Sequence, residues 1–383
     1  MAAALFAARR GATVTLLERN EKLGKKLYIT GKGRCNVTNT AEDMLAAVPR
    51  NPRFLYAALA FFGAVDLRGL LDAYGCPTKV ERGGRVFPAS DKASDVTRAL
   101  ERALAGAGVR VVLGERAASL EPLLTTGAVV LATGGASYPA TGSTGDGYRF
   151  AEAAGHTVYP ARPSLGPLVT AEDWPRSLQG LSLRNVRLSA KAKNRTRFDQ
   201  LGEMLFTHFG ISGPLVLSMS SHILDDDLAR LSVSLDMKPG LSPEQLEARL
   251  QRDFAESPRR QLATILPQLV PARMAGVVPA LAGVPETKMA GQVTREERRA
   301  LAMLLKAVPI TVSGFRPIDE AIITRGGVCV KEVDPGTMAS RKREGLYFAG
   351  EVLDVDAYTG GYNLQIAFST GALAGWSAGP QNG

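Results

Sequence analysis

The chain has 383 residues and a formal net charge of +9, from 46 Lys and Arg against 37 Asp and Glu. Its hydrophobic content of 45% is enough to fill the cores of two or three domains. We find no apolar run near the ~18–20 residues that span a bilayer and no convincing signal-peptide cleavage site, so a cytoplasmic protein is expected. Cys35, Cys76 and Cys329 lie far apart without a Cys-x-x-Cys pair, which excludes a disulfide framework and argues against a flavin–disulfide reductase.

The first elements expected along the chain are the first helix and the second strand of a Rossmann unit. Residues 1–8 are expected to be helical, with Gly11 capping the end of the helix. A strand over residues 13–17 then ends at Glu18, where a Rossmann unit places an acidic residue against a ribose hydroxyl. The first strand and the Gly-x-Gly-x-x-Gly phosphate loop that would precede this helix are absent. We therefore expect a misplaced start or a truncation rather than a natural variant.

Residues 22–40, KLGKKLYITGKGRCNVTNT, form a basic loop interrupted by glycines. Gly31 and Gly33 let the backbone approach a ligand closely. Lys26 and Arg34 carry the positive charge that would neutralise a bound phosphate or a reduced cofactor.

A second glycine turn follows a short apolar strand. The elements expected before it are helices over 51–74 and 91–108 and strands over 109–113 and 128–132. The last of these is continuously apolar, as in a parallel sheet that is buried on both faces. It ends at Thr133, Gly134 and Gly135, where backbone can again approach a ligand.

The middle of the chain is strand-rich and basic. The segment 182–198 contains six basic residues and no acidic one, several of them alternating with apolar residues as on the solvent face of a β-hairpin. These residues are Arg184, Arg187, Lys191, Lys193, Arg195 and Arg197. A charged edge that resists strand pairing is one explanation, and a footprint for a phosphate backbone is the other.

Two amphipathic helices, over 243–254 and 295–307, are predicted to bury Leu246, Leu250, Leu301 and Leu305. Strand character returns over 310–313 and 321–324.

The C-terminal fifty residues carry the most specific pattern. A strand over 345–350 ends at Gly350 and Glu351, and Gly360-Gly361 then opens a helix whose first residues include Tyr362, Asn363 and Leu364. A helix that starts on two glycines offers bare N–H groups and a positive dipole end. Such a start can hold an anion or the electron-rich N1/C2=O edge of a flavin.

Four segments together resemble the BaiN/RdsA-type family of NAD(P)/FAD-dependent oxidoreductases, often labelled aminoacetone-oxidase-like. They are LLERNEKLGKKLYITGKGRCNVTNT, VVLATGGASYPATGSTGDGY, GEMLFTHFGISGP and GGVCVKEVDPGTMASRKREGLYFAGEVLDVDAYTGGYNLQIAFSTG. The resemblance implies an α/β fold: a Rossmann-like FAD-binding domain, here without its first strand, with an inserted substrate domain. We place the FAD domain at 1–165 and 326–383 and the insert at 166–325. Within the insert, 166–240 and 308–325 are expected to be β-rich and 241–307 helical.

The resemblance also implies FAD as cofactor and NAD(P)H as electron donor. The residues expected to bind FAD are Glu18, Lys26, Gly31, Gly33, Arg34, Asn36, Thr133, Gly134, Gly135, Gly350, Glu351, Gly360, Gly361, Tyr362, Asn363 and Leu364. Related flavoproteins place an acidic residue like Glu351 against a ribityl hydroxyl. Without the phosphate loop, residues 1–383 alone are expected to bind FAD weakly or to fold poorly.

The family's activities suggest reduction of a conjugated C=C bond, including the uracil of ribosomal RNA, with the six basic residues of 182–198 gripping that RNA. His208 and Cys35 are the candidate proton donors, although either residue is more often a packed one. No metal site is expected, since the three histidines lack ligand spacing. The alternatives are a small-molecule amine oxidase, an enone reductase, and an RNA-binding flavoprotein remnant without redox activity.

Overall fold

The computed structural model describes residues 1–380. The helices are α1 (Ala2–Arg9), α2 (Lys25–Ile29), α3 (Tyr56–Phe61), α4 (Ala64–Ala73), α5 (Ala93–Gly106), α6 (Glu121–Leu124), α7 (Asp146–Ala153), α8 (Trp174–Ser177), α9 (Pro214–Ile223), α10 (Pro243–Glu256), α11 (Leu262–Ile265), α12 (Val277–Leu281), α13 (Arg295–Lys306) and α14 (Tyr362–Ala378). The strands are β1 (Thr15–Glu18), β2 (Thr38–Asn39), β3 (Thr78–Glu81), β4 (Arg85–Pro88), β5 (Arg110–Leu113), β6 (Val129–Leu131), β7 (Val158–Ser164), β8 (Leu168–Thr170), β9 (Ser182–Ala192), β10 (Arg195–Thr207), β11 (Gly210–Ser212), β12 (Leu231–Asp236), β13 (Val308–Ile310), β14 (Val312–Phe315), β15 (Ile323–Val328) and β16 (Leu346–Phe348).

These elements form two compact units. The first comprises Met1–Ser164 and the described part of Pro317–Gly383, and the second is Leu165–Arg316. The sequence placed the return to the first domain at residue 326. In the structure β15 pairs antiparallel with β7, starting from Ile323 opposite Ser164, so the first unit resumes before that residue.

Parallel strand pairs carry the Rossmann part of the first unit. β1 lies parallel to β5, with Glu18 opposite Leu113, and β16 lies parallel to β6. The expectation that 128–132 is buried on both faces is wrong, because Leu131 is buried while Ala132 is exposed. β6 has a single neighbouring strand, β16, among the described residues, so it is not the inner strand of a wide parallel sheet that the apolar run had suggested.

Small residues let two helices of the first unit pack closely. α1 lies against α14, and an added Cβ at Gly375 would lie 2.0 Å from the carbonyl oxygen of Ala3. Gly371 lies against Ala2 in the same way, with 3.3 Å between its added Cβ and the Ala2 side chain. Two glycines one turn apart therefore let α14 pack directly on the start of α1.

One helical run among the described residues, Pro52–Ala73, is long and apolar enough to cross a membrane by length and composition. No such run was expected from the sequence. In the structure it is broken into α3 and α4 by Phe62, which is extended, with φ −146° and ψ 91°. Leu55, Leu67 and Leu71 from this run are fully buried in the first unit.

A seven-stranded antiparallel sheet forms most of the second unit, in the order β13-β12-β9-β10-β11-β8-β14. Its two edge strands, β13 and β14, are separated in sequence by Thr311 alone. Since one residue advances the chain by only about 3.8 Å, the edges must lie together, and the sheet curls toward a closed barrel.

The helical part of the second unit follows its sequence pattern. Leu246, Leu250, Leu301 and Leu305 are fully buried, as predicted. α10 and α13 begin with capping boxes, Ser242 with Gln245 and Thr294 with Glu297, which satisfy backbone N–H groups at each helix start.

Candidate cofactor site

The carboxylate of Glu18 stands at the end of β1 and is partly buried. Its Oε1 accepts hydrogen bonds from the backbone N–H and the side-chain amide of Asn20, at 2.9 and 2.7 Å. Its Oε2 accepts no hydrogen bond within residues 1–380. Glu18 therefore keeps one free acceptor oxygen, as recognition of a ribose hydroxyl requires.

Lys26 and Glu351 are bonded to each other. The Lys26 ammonium lies 2.6 Å from Glu351 Oε2 and 2.9 Å from the hydroxyl of Ser137. Glu351 Oε1 accepts the N–H of Thr324 at 2.9 Å and the Ser137 hydroxyl at 3.1 Å. This network ties together α2, the turn after β6, β15 and the turn after β16. In this arrangement Glu351 joins four segments of the unit, and both of its oxygens are occupied.

Arg34 does not have a free guanidinium. It forms an ion pair with Glu81, donates to Asp91 at 2.9 Å through Nε, and stacks 4.1 Å above the Phe87 ring. The sequence assigned Arg34 to neutralising a bound phosphate or a reduced cofactor. Two carboxylates already neutralise its charge here, and that assignment stays a prediction.

The loop between α2 and β2 closes on itself. The N–H groups of Arg34 and Cys35 donate to the carbonyl oxygens of Gly31 and Thr30, at 3.3 and 3.1 Å. Gly31 and Gly33 have φ of +57° and +86°, the left-handed region that glycine adopts without strain. The glycines shape this loop, and these two of its backbone donors are already satisfied internally.

Cys35 is fully buried in the apolar core beside Val37 and Val86. Burial raises the pKa of its thiol to about 12. Burial and the raised pKa disfavour Cys35 as a proton donor, and its catalytic role stays a prediction.

The glycine turn after β6 is shaped by close packing. A Cβ on Gly134 would lie 2.6 Å from Ser143 Oγ, and one on Gly135 would lie 2.5 Å from Thr324 Oγ1. Thr324 Oγ1 accepts the backbone N–H of Ala136 at 2.9 Å. The sequence missed Thr324 and Ser137, which lie 187 positions apart and carry no local signal of their contact.

The start of α14 is fixed against β2. A Cβ on Gly361 would lie 2.2 Å from the carbonyl oxygen of Thr38, and one on Gly360 would lie 3.1 Å from the Tyr362 ring. Asn363 accepts the N–H of Ala357 at 2.8 Å and donates to its carbonyl at 2.7 Å. Because residue 361 is a glycine, the backbone of Thr38 can pack where a side chain would otherwise lie. The space beside Gly361 is therefore filled by protein backbone.

Two further predicted residues have partners inside the unit. The N–H of Gly350 donates to Thr370 Oγ1 at 2.9 Å. Leu364 packs against the apolar core that contains Phe6 and Leu27.

Three buried polar atoms near these turns have no hydrogen-bond partner among the described residues: Asn36 Oδ1, Thr133 Oγ1 and Tyr148 OH. Burial raises the pKa of Tyr148, and Glu351 adds to the shift. A buried polar atom without a partner is costly unless a ligand or water completes it. Together with the free oxygen of Glu18 and the first-turn N–H groups of α14, these atoms fit a polar cofactor such as FAD.

In the second unit, His208 is exposed on the turn between β10 and β11 and contacts the ring of Phe209, at 4.9 Å between centroids. It is therefore not a core residue, and its proton-donor role stays a prediction. No group of three or more His, Cys, Asp or Glu in residues 1–380 is arranged to hold a metal ion.

The basic segment 182–198 forms the predicted hairpin of β9 and β10. Two of its cations are compensated, since Arg187 pairs with Asp199 at 3.1 Å and Arg197 with Asp226 at 2.7 Å. The other four cations are exposed and have no acidic partner within the described residues: Arg184, Lys191, Lys193 and Arg195.

Comparison with known proteins places the whole chain in one family. The model of the HI0933-like protein Rossmann domain matches residues 1–377. The 3-dehydro-bile acid delta(4,6)-reductase of Clostridium scindens is 31% identical over 98% of this chain and 95% of its own length. The ribosomal RNA dihydrouridine synthase of Escherichia coli is 31% identical over 95% of this chain and 92% of its own length.

Among solved structures, the 3-ketosteroid-delta4-(5alpha)-dehydrogenase of Rhodococcus jostii is similar with a TM-score of 0.45 and 15% identity, covering 99% of this chain and 94% of that one. The family match and the two relatives confirm the Rossmann-type α/β fold expected from the sequence. The chain belongs to the HI0933-like Rossmann-domain family, the BaiN/RdsA-type oxidoreductases that its sequence motifs resemble.

Proposed function

We propose that this oxidoreductase binds FAD in its first unit, takes electrons from NAD(P)H, and reduces the C5=C6 bond of a uridine in ribosomal RNA. Two relatives that cover nearly the whole chain are named ribosomal RNA dihydrouridine synthases, at 31% and 30% identity. In this chain, the proposal of an RNA substrate is supported by four exposed cations on the β9–β10 hairpin that no acidic residue neutralises.

When bound, the flavin would supply a hydride to one carbon of the conjugated double bond. The protein then has to hold the cofactor and provide one proton to the neighbouring carbon. Glu18 is assigned to the ribose through its free oxygen, and Thr133 and Asn36 supply unpartnered oxygen atoms elsewhere in the same unit. His208 is the proposed proton donor, since its imidazole is exposed rather than packed in a core.

The geometry of the hairpin suits a phosphate backbone. Lys193 and Asn194 form its turn with φ of +49° and +61°, the two-residue turn that continues the twist of a hairpin. Two more of the exposed cations flank this turn on the antiparallel ladder, Lys191 opposite Thr196 and Arg195 opposite Ala192. Cations spaced along extended strands can contact successive phosphates of one chain.

The first test measures dihydrouridine in ribosomal RNA after incubation with FAD-loaded protein and NAD(P)H. Formation of dihydrouridine is expected. Its absence, with intact flavin reduction by NAD(P)H, would refute the RNA substrate and leave the oxidoreductase class standing.

The second test measures RNA affinity against salt concentration. The double variant Lys193→Gln/Arg195→Gln should lower the log–log salt slope by about 0.7–0.9 per lost phosphate contact. The matched double variant Arg53→Gln/Arg110→Gln removes two exposed cations of the first unit and should leave the slope unchanged. Equal slopes for both variants and the wild type would contradict the assignment of the hairpin to RNA.

A second candidate function is reduction of a small conjugated ketone. It is supported by the identity of 31% with a protein named 3-dehydro-bile acid delta(4,6)-reductase. Turnover of a steroid dienone or enone that is indifferent to the hairpin charges, with no dihydrouridine formed, would favour this candidate. Amine oxidation would instead consume oxygen without NAD(P)H, and RNA binding without any flavin absorbance would indicate a non-catalytic binding protein.

A further inference from the structure

The turn that follows Glu18 is held in place from two sides. On one side the N–H of Glu115 donates to the Glu18 carbonyl at 3.1 Å, and the N–H of Gly114 donates to the Asn20 carbonyl at 3.0 Å. On the other side the side-chain amide of Asn20 donates to the carbonyl oxygen of Thr141 at 3.0 Å. The strand tip is thereby tied to the loop that follows the glycine turn after β6.

The side-chain amide of Asn20 donates hydrogen bonds both to Glu18 and to the loop that contains Thr141. Its Nδ2 donates to Thr141 O and, at 2.7 Å, to Glu18 Oε1, which also accepts the Asn20 N–H. The space for this amide exists because residue 142 is a glycine: a Cβ there would lie 2.7 Å from Asn20 Nδ2, and φ at Gly142 is +104°. The neighbouring Arg19 docks into the same loop, 2.7 Å from Thr144 Oγ1.

A glutamate at a strand tip is free to rotate about three side-chain bonds, and fixing it costs conformational entropy. Two hydrogen bonds from Asn20 occupy one oxygen of Glu18 and restrict that rotation before any ligand arrives. The second oxygen remains as an acceptor in a defined position. Restricting a binding group in advance reduces the cost of association.

We propose that Asn20 is a positioning residue for dinucleotide binding, which holds Glu18 so that its Oε2 accepts from a ribose hydroxyl of the adenosine half. This inference rests on the proposed binding of FAD in the first unit. If it holds, Asn20 changes binding affinity only through Glu18, and only for ligands that carry the adenosine half.

The experiment is calorimetric titration of FAD and of FMN, which lacks the adenosine half, into wild-type protein and variants. Asn20→Ala should weaken FAD binding about three- to tenfold, from the ordering cost of one side chain, and leave FMN binding unchanged. Asn20→Asp should weaken FAD further, because a carboxylate cannot donate to Glu18 and repels it. The control Thr144→Val removes the Arg19 contact in the same loop without touching Glu18, and it should bind FAD as the wild type does.

A double-mutant cycle separates positioning from general support of the loop. In a Glu18→Ala background, Asn20→Ala should have no further effect on FAD affinity. An effect that persists in that background, or an equal loss for FMN, would overturn the inference, since Asn20 would then stabilise the fold rather than Glu18. If wild-type protein that is folded by circular dichroism binds neither flavin even weakly, the proposed cofactor itself is refuted; if it binds FAD and Asn20→Ala is silent, only this inference fails.

Discussion

Gly361 is the residue at which the structure changes the expected result most. The sequence assigned this glycine to the start of the helix that can hold the edge of a flavin, so its expected role was in cofactor binding. In the structure a Cβ on Gly361 would lie 2.2 Å from the carbonyl oxygen of Thr38 and 2.5 Å from its carbonyl carbon. Both are backbone atoms of the buried strand β2, so the contact cannot be relieved by rotating a side chain.

The cost of Gly361→Ala has two parts. φ at Gly361 is +100°, and a left-handed conformation costs an L-residue about 1–2 kcal/mol. Moving packed backbone to relieve the overlap costs about 1–3 kcal/mol more. We therefore expect Gly361→Ala to lower the free energy of unfolding by about 2–5 kcal/mol.

The assay is urea unfolding followed by tryptophan fluorescence. The chain has two tryptophans, so a Trp174→Phe background leaves Trp376, in α14, as the reporter of the first unit. The matched control is Gly69→Ala on α4, where the added methyl meets no atom within 4 Å and replaces an exposed helical glycine. This control should raise stability by up to about 1 kcal/mol.

A free energy of unfolding for Gly361→Ala within about 0.5 kcal/mol of the wild-type value would refute this reasoning. Changes that small are typical of substitutions on the surface and are incompatible with a backbone overlap. Loss of flavin with unchanged stability would instead restore the direct role of this glycine in cofactor binding.

Three further outcomes are expected. Burial alone would raise the pKa of Glu332, but bonds from Lys342 at 2.7 Å and from Thr157 lower that pKa to about 2. Glu332→Gln should therefore lower the free energy of unfolding by about 1–2 kcal/mol at neutral pH, and in acid-unfolding curves this difference should disappear between about pH 5 and pH 2. A difference that does not depend on pH would contradict this prediction. Burial raises the pKa of the Cys35 thiol to about 12, so Cys35 should resist iodoacetamide in folded protein and react only when urea unfolds the first unit. Rapid labelling of Cys35 in native protein, identified by the mass of the labelled peptide, would show instead that the thiol is accessible. Phe206 is fully buried in the core of the second unit, and Phe206→Ala should lower thermal stability by about 3–5 kcal/mol, whereas a loss below about 1 kcal/mol would mean that this core is not packed as described.

Local chemistry was sufficient to predict several of the elements. The apolar spacing of α10 and α13 fixed which leucines are buried, because a helical period of 3.6 residues leaves few arrangements open. The glycine-led start of α14 and the strand ending at Glu18 were readable for the same reason: turn and cap chemistry depends on neighbours a few residues apart. The family resemblance came from these same local motifs.

Tertiary contacts decided which candidate residues are free to act. Nothing near Arg34 in sequence shows that Glu81 and Asp91 neutralise it, and nothing near Glu351 points to Lys26, which is 325 positions away. The charge and hydrogen-bonding capacity of a side chain are written in the sequence. Whether that capacity is already used depends on partners that only folding brings within about 3 Å, since hydrogen bonds and ion pairs act at that range.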